Sequence, residues 1–149
     1  MKKFLVIVAI TLFVTTLAYC FYQDKAAHLR SSIDGVVAAL KGESLSATYQ
    51  AEATGEFLAG KRYWLTLANG EHLSAYIYKN NESARKDAAY VDSGGCSYNK
   101  PGKSVEVSWA GMPHLFQADN LIVLYVGDDT TVLAALRSIY GEQFAGFDE

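Results

Sequence analysis

The side chains best suited to metal binding or acid–base chemistry in this sequence are three histidines and two cysteines. His28, His72 and His114 lie far apart along the chain, on three separate predicted elements. Zinc sites and hydrolytic centres are recognised by short spacings such as HxH, HExxH or CxxC, which bring ligands onto one turn or one helix face. The sequence contains none of these spacings. It therefore predicts no metal site and no cofactor.

His114 is the histidine with the most informative neighbours. It follows Pro113 at a predicted bend, between Trp109 and Phe116 in the sequence. A polar ring at the edge of an aromatic surface is typical of a groove that binds a small ligand. We therefore take Trp109, His114, Phe116 and Tyr125 as candidate ligand-binding residues. The competing interpretation is that these rings fill the core or cover a sheet edge.

The two cysteines, Cys20 and Cys96, differ in their predicted chemistry. Cys20 stands where the lipidated cysteine of a lipoprotein leader stands, and it is the candidate lipidation site. Cys96 is expected to be a buried thiol in a turn that leads into a strand, because a lone cysteine in an oxidising compartment is usually buried. If the leader is cleaved after Ala18, a disulfide between the two cysteines becomes feasible.

Nucleophilic catalysis has weak support in the sequence. Ser93-Gly94-Gly95 is not a GxSxG nucleophile elbow, and the adjacent Asp128 and Asp129 after a predicted strand are typical of a helix cap. We assign no catalytic residue. A hydrolase is the least favoured of three functional classes, because it would need His114 or Cys96 beside a carboxylate in a cleft.

The N-terminal segment predicts delivery to or across a membrane. Lys2 and Lys3 precede residues 4–22, which carry no charge. Positive residues before such a stretch remain in the cytoplasm and direct the following chain outward. Three interpretations stay open: a retained signal anchor, a lipoprotein leader modified at Cys20, and a cleaved secretory signal. Tyr19 is larger than the Gly, Ala or Ser that normally precedes a lipidated cysteine. All three interpretations place residues 23–149 outside the cytoplasm.

Length and composition indicate that the rest of the chain forms one globular domain. The sequence has 149 residues, 50% of them hydrophobic and 19% charged, with a formal net charge of −3. One domain over residues 23–149 is long enough to bury a core without disulfides or metals. A mildly acidic chain without a concentrated basic stretch is not expected to bind nucleic acid.

Periodicity and turn signals predict an α+β domain behind the membrane-directed helix. Helices are predicted over residues 24–41, over 81–91 after an Asn80 or Asn81 cap, and from the Asp128 or Asp129 cap to Gly141. Strands are predicted at 45–54, in a 61–79 hairpin that turns at Asn69-Gly70, at 105–109 and 114–117, and at 121–126. Residues 142–149 are predicted to be a tail.

Two ββα-like units, offset by 48 residues, organise these elements. The stretch from Tyr76 to Asn81 and the stretch from Leu124 to Asp129 each end a strand and cap a helix. We expect one antiparallel sheet of four to five strands, with about three helices packed on one face.

The C-terminal third resembles a group of short, uncharacterised bacterial exported proteins, many with predicted lipoprotein leaders. The resemblance lies in Trp109 to Phe116, in the Asn120 to Gly127 stretch and in Gln143-Phe144-Ala145-Gly146. It covers roughly the last 45 residues and the leader arrangement. It implies export and lipidation, but no assigned activity or site.

The favoured function class is a non-enzymatic, membrane-anchored accessory or interaction protein of the cell envelope, with the membrane contacted through residues 4–22 and with an envelope protein as partner. Its expected signature is a flat apolar or aromatic patch. The alternative is a small-ligand-binding or sensor module at the membrane surface, for which a deep apolar pocket with a few polar groups is expected.

Overall fold

A computed structural model describes residues 32–50 and 57–147 of the chain. Within these residues the fold is α+β, as predicted. The leader, Cys20, His28 and residues 24–31 of the first predicted helix lie outside the described residues. The elements in chain order are α1 (Ile33–Gly42), β1 (Ala47–Gln50), β2 (Lys61–Leu67), β3 (His72–Ile77), α2 (Asn81–Ala88), β4 (Ser97–Lys100), β5 (Lys103–Glu106), β6 (Pro113–Ala118), β7 (Leu121–Val126), α3 (Thr130–Tyr140) and β8 (Ala145–Gly146).

The main sheet has six strands in the order β1-β2-β3-β7-β6-β8, and every neighbouring pair is antiparallel. The prediction of four to five strands was too low, because residues 145–146 of the predicted tail pair with β6. β4 and β5 form a separate two-stranded hairpin. The predicted strand at 105–109 ends at Glu106, so Trp109 lies beyond it.

Both faces of the sheet are covered, and the prediction of helices on one face was wrong. The first face packs against α1 and α3, through residues such as Leu65, Val123 and Leu136. The second face packs against α2 and the β4–β5 hairpin, through residues such as Leu124 and Tyr98. The physical reason lies in the central strands. β7 is an unbroken apolar run whose side chains alternate between the two faces, so each face needs a cover.

The two ββα units share their strands but not their helix placement. Ala75 of β3 pairs with Val123 of β7, and these two residues occupy equivalent positions under the 48-residue offset. However, α2 lies on the second face and α3 on the first. A two-fold axis through that strand pair would place both helices on one face, so the similarity stops at the strands.

Local capping signals explain where the helices begin. Ser32 caps α1 by accepting a hydrogen bond from the Gly35 N–H, at 3.1 Å. Asn80 caps α2 through the Ser83 N–H, and Asp129 caps α3 through the N–H groups of Thr131 and Val132. The predicted Asn80 and Asp129 caps are thereby confirmed. No helix within the described ranges is long and apolar enough to cross a membrane.

The predicted hairpin at Asn69-Gly70 joins β2 to β3. Gly70 has a φ of 89°, and its N–H donates to the Leu67 carbonyl at 3.0 Å. The Asn69 side chain accepts from the Glu71 N–H at 3.1 Å. This turn sets the register that pairs Trp64 with Ser74 at the centre of the second face.

Candidate functional site

A groove on the second face of the sheet combines apolar and polar groups. We call it the tryptophan groove. Its volume is about 410 Å³, which lies within the range of roughly 300–1,000 Å³ typical of small-ligand pockets. Its lining residues are Arg62, Trp64, Gly70, Glu71, His72, Leu73, Ser74, Trp109, Ala110, Leu124 and Val126.

The alternation of side chains along β2 determines which residues form the floor of the groove. On β2, Tyr63, Leu65 and Leu67 face the first core, so Arg62, Trp64 and Thr66 face the other way. Trp64 pairs with Ser74 on β3, and Ser74 pairs with Leu124 on β7. Three adjacent strands therefore contribute an aromatic, a hydroxyl and an aliphatic side chain side by side.

Trp109 forms part of the wall of the groove and is held by two contacts. Its indole N–H donates to the Gly95 carbonyl at 2.9 Å, and its ring meets Phe57 edge-on with centroids 5.3 Å apart. Gly95 has a φ of 71°, and a Cβ built there would approach Leu115 to 2.7 Å. The positive φ favours a glycine at this turn, and a larger residue would also have to displace the end of the Leu115 side chain. Gly95 therefore has a structural role, in positioning Trp109.

Arg62 is the charged group of the groove. Two of its guanidinium nitrogens, Nε and a terminal one, donate to the Ser74 hydroxyl at 3.1 and 3.0 Å. The guanidinium also lies 5.2 Å from the Trp64 ring centroid and 6.0 Å from that of Tyr76. Arg62 forms no ion pair with a described residue. Its position is fixed by the Ser74 hydroxyl and two rings, and Glu71, the carboxylate that lines the same groove, forms no salt bridge with it.

His72 and Glu71 complete the polar lining. The His72 ring stacks on Trp64 with centroids 5.2 Å apart. The Glu71 carboxylate accepts a hydrogen bond from the Tyr125 hydroxyl at 2.8 Å, and the same hydroxyl accepts from the Asp129 N–H at 3.1 Å. Burial and the nearby Glu71 and Asp129 carboxylates raise the pKa of Tyr125, and the hydrogen bond from the Asp129 N–H lowers it. The net effect raises this pKa to about 12. This hydroxyl therefore stays protonated and donates at neutral pH.

The structure divides the four candidate ligand-binding residues between the two faces. Trp109 lies in the tryptophan groove, whereas His114, Phe116 and Tyr125 lie on the first face and are 1%, 0% and 0% exposed. The four residues therefore do not line one groove. Trp109 precedes β6 and lies on the second face, whereas the alternation of side chains along β6 and β7 turns the other three residues toward the first face. These three rings lie in the core, which is where the competing interpretation placed them.

His114 is held as a buried core group. Its Nδ1 lies 2.8 Å from Oε1 of Gln143, and Nε2 of that amide donates to the Phe147 carbonyl. The amide orientation makes Nδ1 of His114 the donor. The ring stacks on Tyr125 with centroids 6.1 Å apart. The partner of this histidine is thus an amide and a phenol ring, and not the carboxylate that a hydrolase would need.

Cys96 lies in the predicted turn before β4, but it is half-buried and not buried as expected. Its thiol contacts the Gly94 carbonyl at 3.5 Å, and its N–H donates to Asp92 at 2.8 Å. Burial raises the pKa of Asp92, but N–H bonds from Ser97, Cys96 and Gly94 outweigh it, so the pKa lies below its ordinary value. Asp92 closes this turn as an ionised acceptor. Within residues 32–50 and 57–147, no three metal-ligating side chains converge.

Asp87 is a buried carboxylate that the sequence analysis missed. It is 6% exposed, and it accepts hydrogen bonds from the hydroxyls of Tyr78 (2.7 Å) and Tyr98 (2.5 Å) and from the Ala59 N–H (2.8 Å). Burial and the Asp87 carboxylate raise the pKa of both tyrosines well above the ordinary range. Asp87 thus joins α2 to β4 and to the segment before β2.

The sequence carried signals for Arg62, Trp64 and Asp87, which the sequence analysis missed. Arg62, Trp64 and Thr66 alternate with apolar residues along a predicted strand, which marks a face bearing both aromatic and charged groups. Asp87 falls between Ala84 and Ala88 on the narrow apolar stripe of its helix, where a carboxylate needs partners.

Comparisons of the chain with protein-family models, with curated proteins and with solved structures give no match.

Proposed function

We propose that this chain is a non-enzymatic accessory protein of the bacterial cell envelope that binds a small ligand in the tryptophan groove. The ligand carries an apolar ring and an anionic group. The proposal joins the favoured function class to the small-ligand alternative, because the groove combines apolar walls with a few fixed polar groups.

The observation that carries the proposal is the setting of Arg62. A guanidinium in a half-enclosed apolar groove is stabilised by an anion, yet its described partners are the Ser74 hydroxyl and two aromatic rings. Guanidinium groups pair with carboxylates and phosphates with high geometric specificity. A ligand anion that reaches Arg62 would leave its remaining atoms beside Trp64 and Trp109, which offer apolar contact to a ring.

The two tryptophans provide the readout for a test. The chain contains two tryptophans, and both line the groove, so intrinsic tryptophan fluorescence reports on ligand entry. The full chain is titrated with benzoate and cyclohexanecarboxylate, and in parallel with their neutral carboxamides. Because hydrogen bonds to charged groups contribute about 1.5–3 kcal/mol, the acids should bind at least about tenfold more tightly than the amides.

Arg62→Gln should remove this preference for the acids. Arg85→Gln is the matched control, since Arg85 is exposed on α2 and does not line the groove. Equal affinity for acids and amides in the unmodified chain would contradict the proposal. The same loss of affinity in both variants would also contradict it.

The proposed location is the outer surface of the cell membrane, with residues 4–22 retained as an anchor or Cys20 lipidated. The intact mass of the protein extracted from membranes tests this placement. A mass beginning at Met1 supports the anchor, and a mass beginning at Cys20 with acyl chains supports the lipoprotein. A soluble protein that begins at Tyr19 would contradict both forms of attachment.

A further inference from the structure

Two basic side chains flank the Trp64 ring on the floor of the tryptophan groove. Arg62 precedes Trp64 by two residues on β2, and His72 pairs with Thr66, which follows Trp64 by two residues. The Arg62 guanidinium carbon and the His72 ring centroid each lie 5.2 Å from the centroid of the Trp64 ring. The separation between the guanidinium and the imidazole is therefore at most twice that distance, and both groups line the same groove.

The His72 imidazole has one ring nitrogen that can serve a ligand. The residue is exposed, and its Nδ1 lies 3.3 Å from the Thr66 hydroxyl. Its Nε2 forms no hydrogen bond with a described residue. A protonated imidazole carries a positive charge and donates from both nitrogens, and hydrogen bonds between charged groups are the stronger ones. In that state His72 can donate from Nε2 to an anionic group of a ligand.

The charged groups around His72 come from three places in the described residues. Arg62 lies on β2, and Glu71 directly precedes His72; both line the groove. Asp128, which follows β7, lines an adjoining cavity. The segment between β5 and β6 contributes no charged side chain to the described lining. Histidine ordinarily changes its charge between about pH 5 and 8, and His72 is the one histidine among the described lining residues.

We propose that the ligand of the tryptophan groove is a dianion in which an apolar ring separates two acidic groups. Arg62 binds the first acidic group, and protonated His72 binds the second, with the ligand ring lying along Trp64 between them. The inference rests on the proposed function, because it assigns a second recognition group to the same groove. It adds a dependence on pH, since Arg62 keeps its charge throughout the range in which His72 gains or loses its own.

The test compares two ligands of the same size in the full chain. Terephthalate carries two carboxylates, and para-carbamoylbenzoate replaces one of them with a neutral amide. Both are titrated at constant ionic strength, with tryptophan fluorescence as the readout, at about pH 5.5 and at about pH 8. The ratio of the two affinities should favour terephthalate about fivefold more at the lower pH, because a contact between partly exposed charges contributes up to about 1 kcal/mol.

Two substitutions at His72 test the assignment in opposite directions. His72→Gln keeps a polar side chain beside Thr66 but cannot gain a charge, so the ratio of affinities should no longer change with pH. His72→Arg is charged at both pH values, so terephthalate should be favoured equally at both. Arg85→Gln is the matched control, since Arg85 is exposed on α2 and does not line the groove, and it should retain the change with pH.

Two results would overturn the inference and leave the proposed function standing. The first is a ratio of affinities that is the same at both pH values in the unmodified chain, although benzoate still binds more tightly than its carboxamide. The second is a His72→Gln variant that binds both ligands more weakly but keeps the change with pH, which would make His72 only a support for Trp64. If neither benzoate nor terephthalate bound at either pH, the proposed function itself would fail.

Discussion

Replacing Asp87 with alanine is expected to lower the free energy of unfolding by about 3–4 kcal/mol. The variant leaves the hydroxyls of Tyr78 and Tyr98 without their acceptor, and these residues are 9% and 0% exposed. A buried donor that loses its partner costs about 1–3 kcal/mol, so the two together account for most of the loss. Ala59 is exposed, so its N–H can bind water and adds little.

Asp87→Asn separates the loss of charge from the loss of an acceptor. The amide oxygen can still accept from Tyr78 and from the Ala59 N–H, which share one carboxylate oxygen of Asp87. The expected loss is therefore smaller, about 1–2 kcal/mol, and corresponds to weaker neutral hydrogen bonds. Tyr98→Phe should cost a similar amount, because it removes one bond and leaves no unpaired donor.

The assay is equilibrium unfolding of the full chain in urea, followed by tyrosine and tryptophan fluorescence. Glu82→Ala is the matched control, since Glu82 is exposed on the same helix and should change stability by less than about 0.5 kcal/mol. A loss in Asp87→Ala no larger than that of the control would refute the assignment of Asp87 as a structural acceptor. If Asp87→Asn were as damaging as Asp87→Ala, the charge itself would be the main contribution.

Three further outcomes follow from local geometry. Gly95→Ala should destabilise the fold by about 1–2 kcal/mol, because φ is 71° and the new Cβ meets Leu115. It should also shift the fluorescence of Trp109. An unchanged melting temperature and an unchanged emission spectrum would contradict this prediction. Ser32→Ala should cost about 1 kcal/mol through the lost α1 cap, measured by thermal unfolding, with no loss expected for Ser32→Asp. The free energy of unfolding should fall as pH rises from about 10 toward 12, because burial raises the folded-state pKa of Tyr125 to about 12, above the ordinary value near 10. Tyr125→Phe should reduce this dependence of stability on pH. An equal dependence in the two chains would contradict the raised pKa.

The fold could be predicted from sequence where one local signal determines one local structure. The Asn80 and Asp129 caps and the turn at Gly70 each depend on a few adjacent residues, and each is confirmed. β8 could not be predicted in this way, because its two residues are strand only through their pairing with β6. The cover on the second face was equally non-local, although the apolar run of β7 already required apolar contact on both of its faces.

The candidate site was predicted less well, because it depends on which face each aromatic residue occupies. Proximity in sequence grouped Trp109 with His114 and Phe116, but β6 begins between them and turns the last two toward the first face. The partner of Trp109 across the groove is Trp64, which lies 45 residues earlier and is brought close by the sheet order. No spacing rule for a single segment contains that relation.

Asp87 supports the tryptophan groove from a distance, through the β4–β5 hairpin. Trp109 follows β5 into the groove, and Asp87 anchors the hairpin through the Tyr98 hydroxyl. Arg62→Gln should therefore weaken the binding of the acids and leave their neutral amides unchanged. Asp87→Asn should weaken the binding of acids and amides alike, because it loosens the support of the Trp109 wall and removes no charge from the groove.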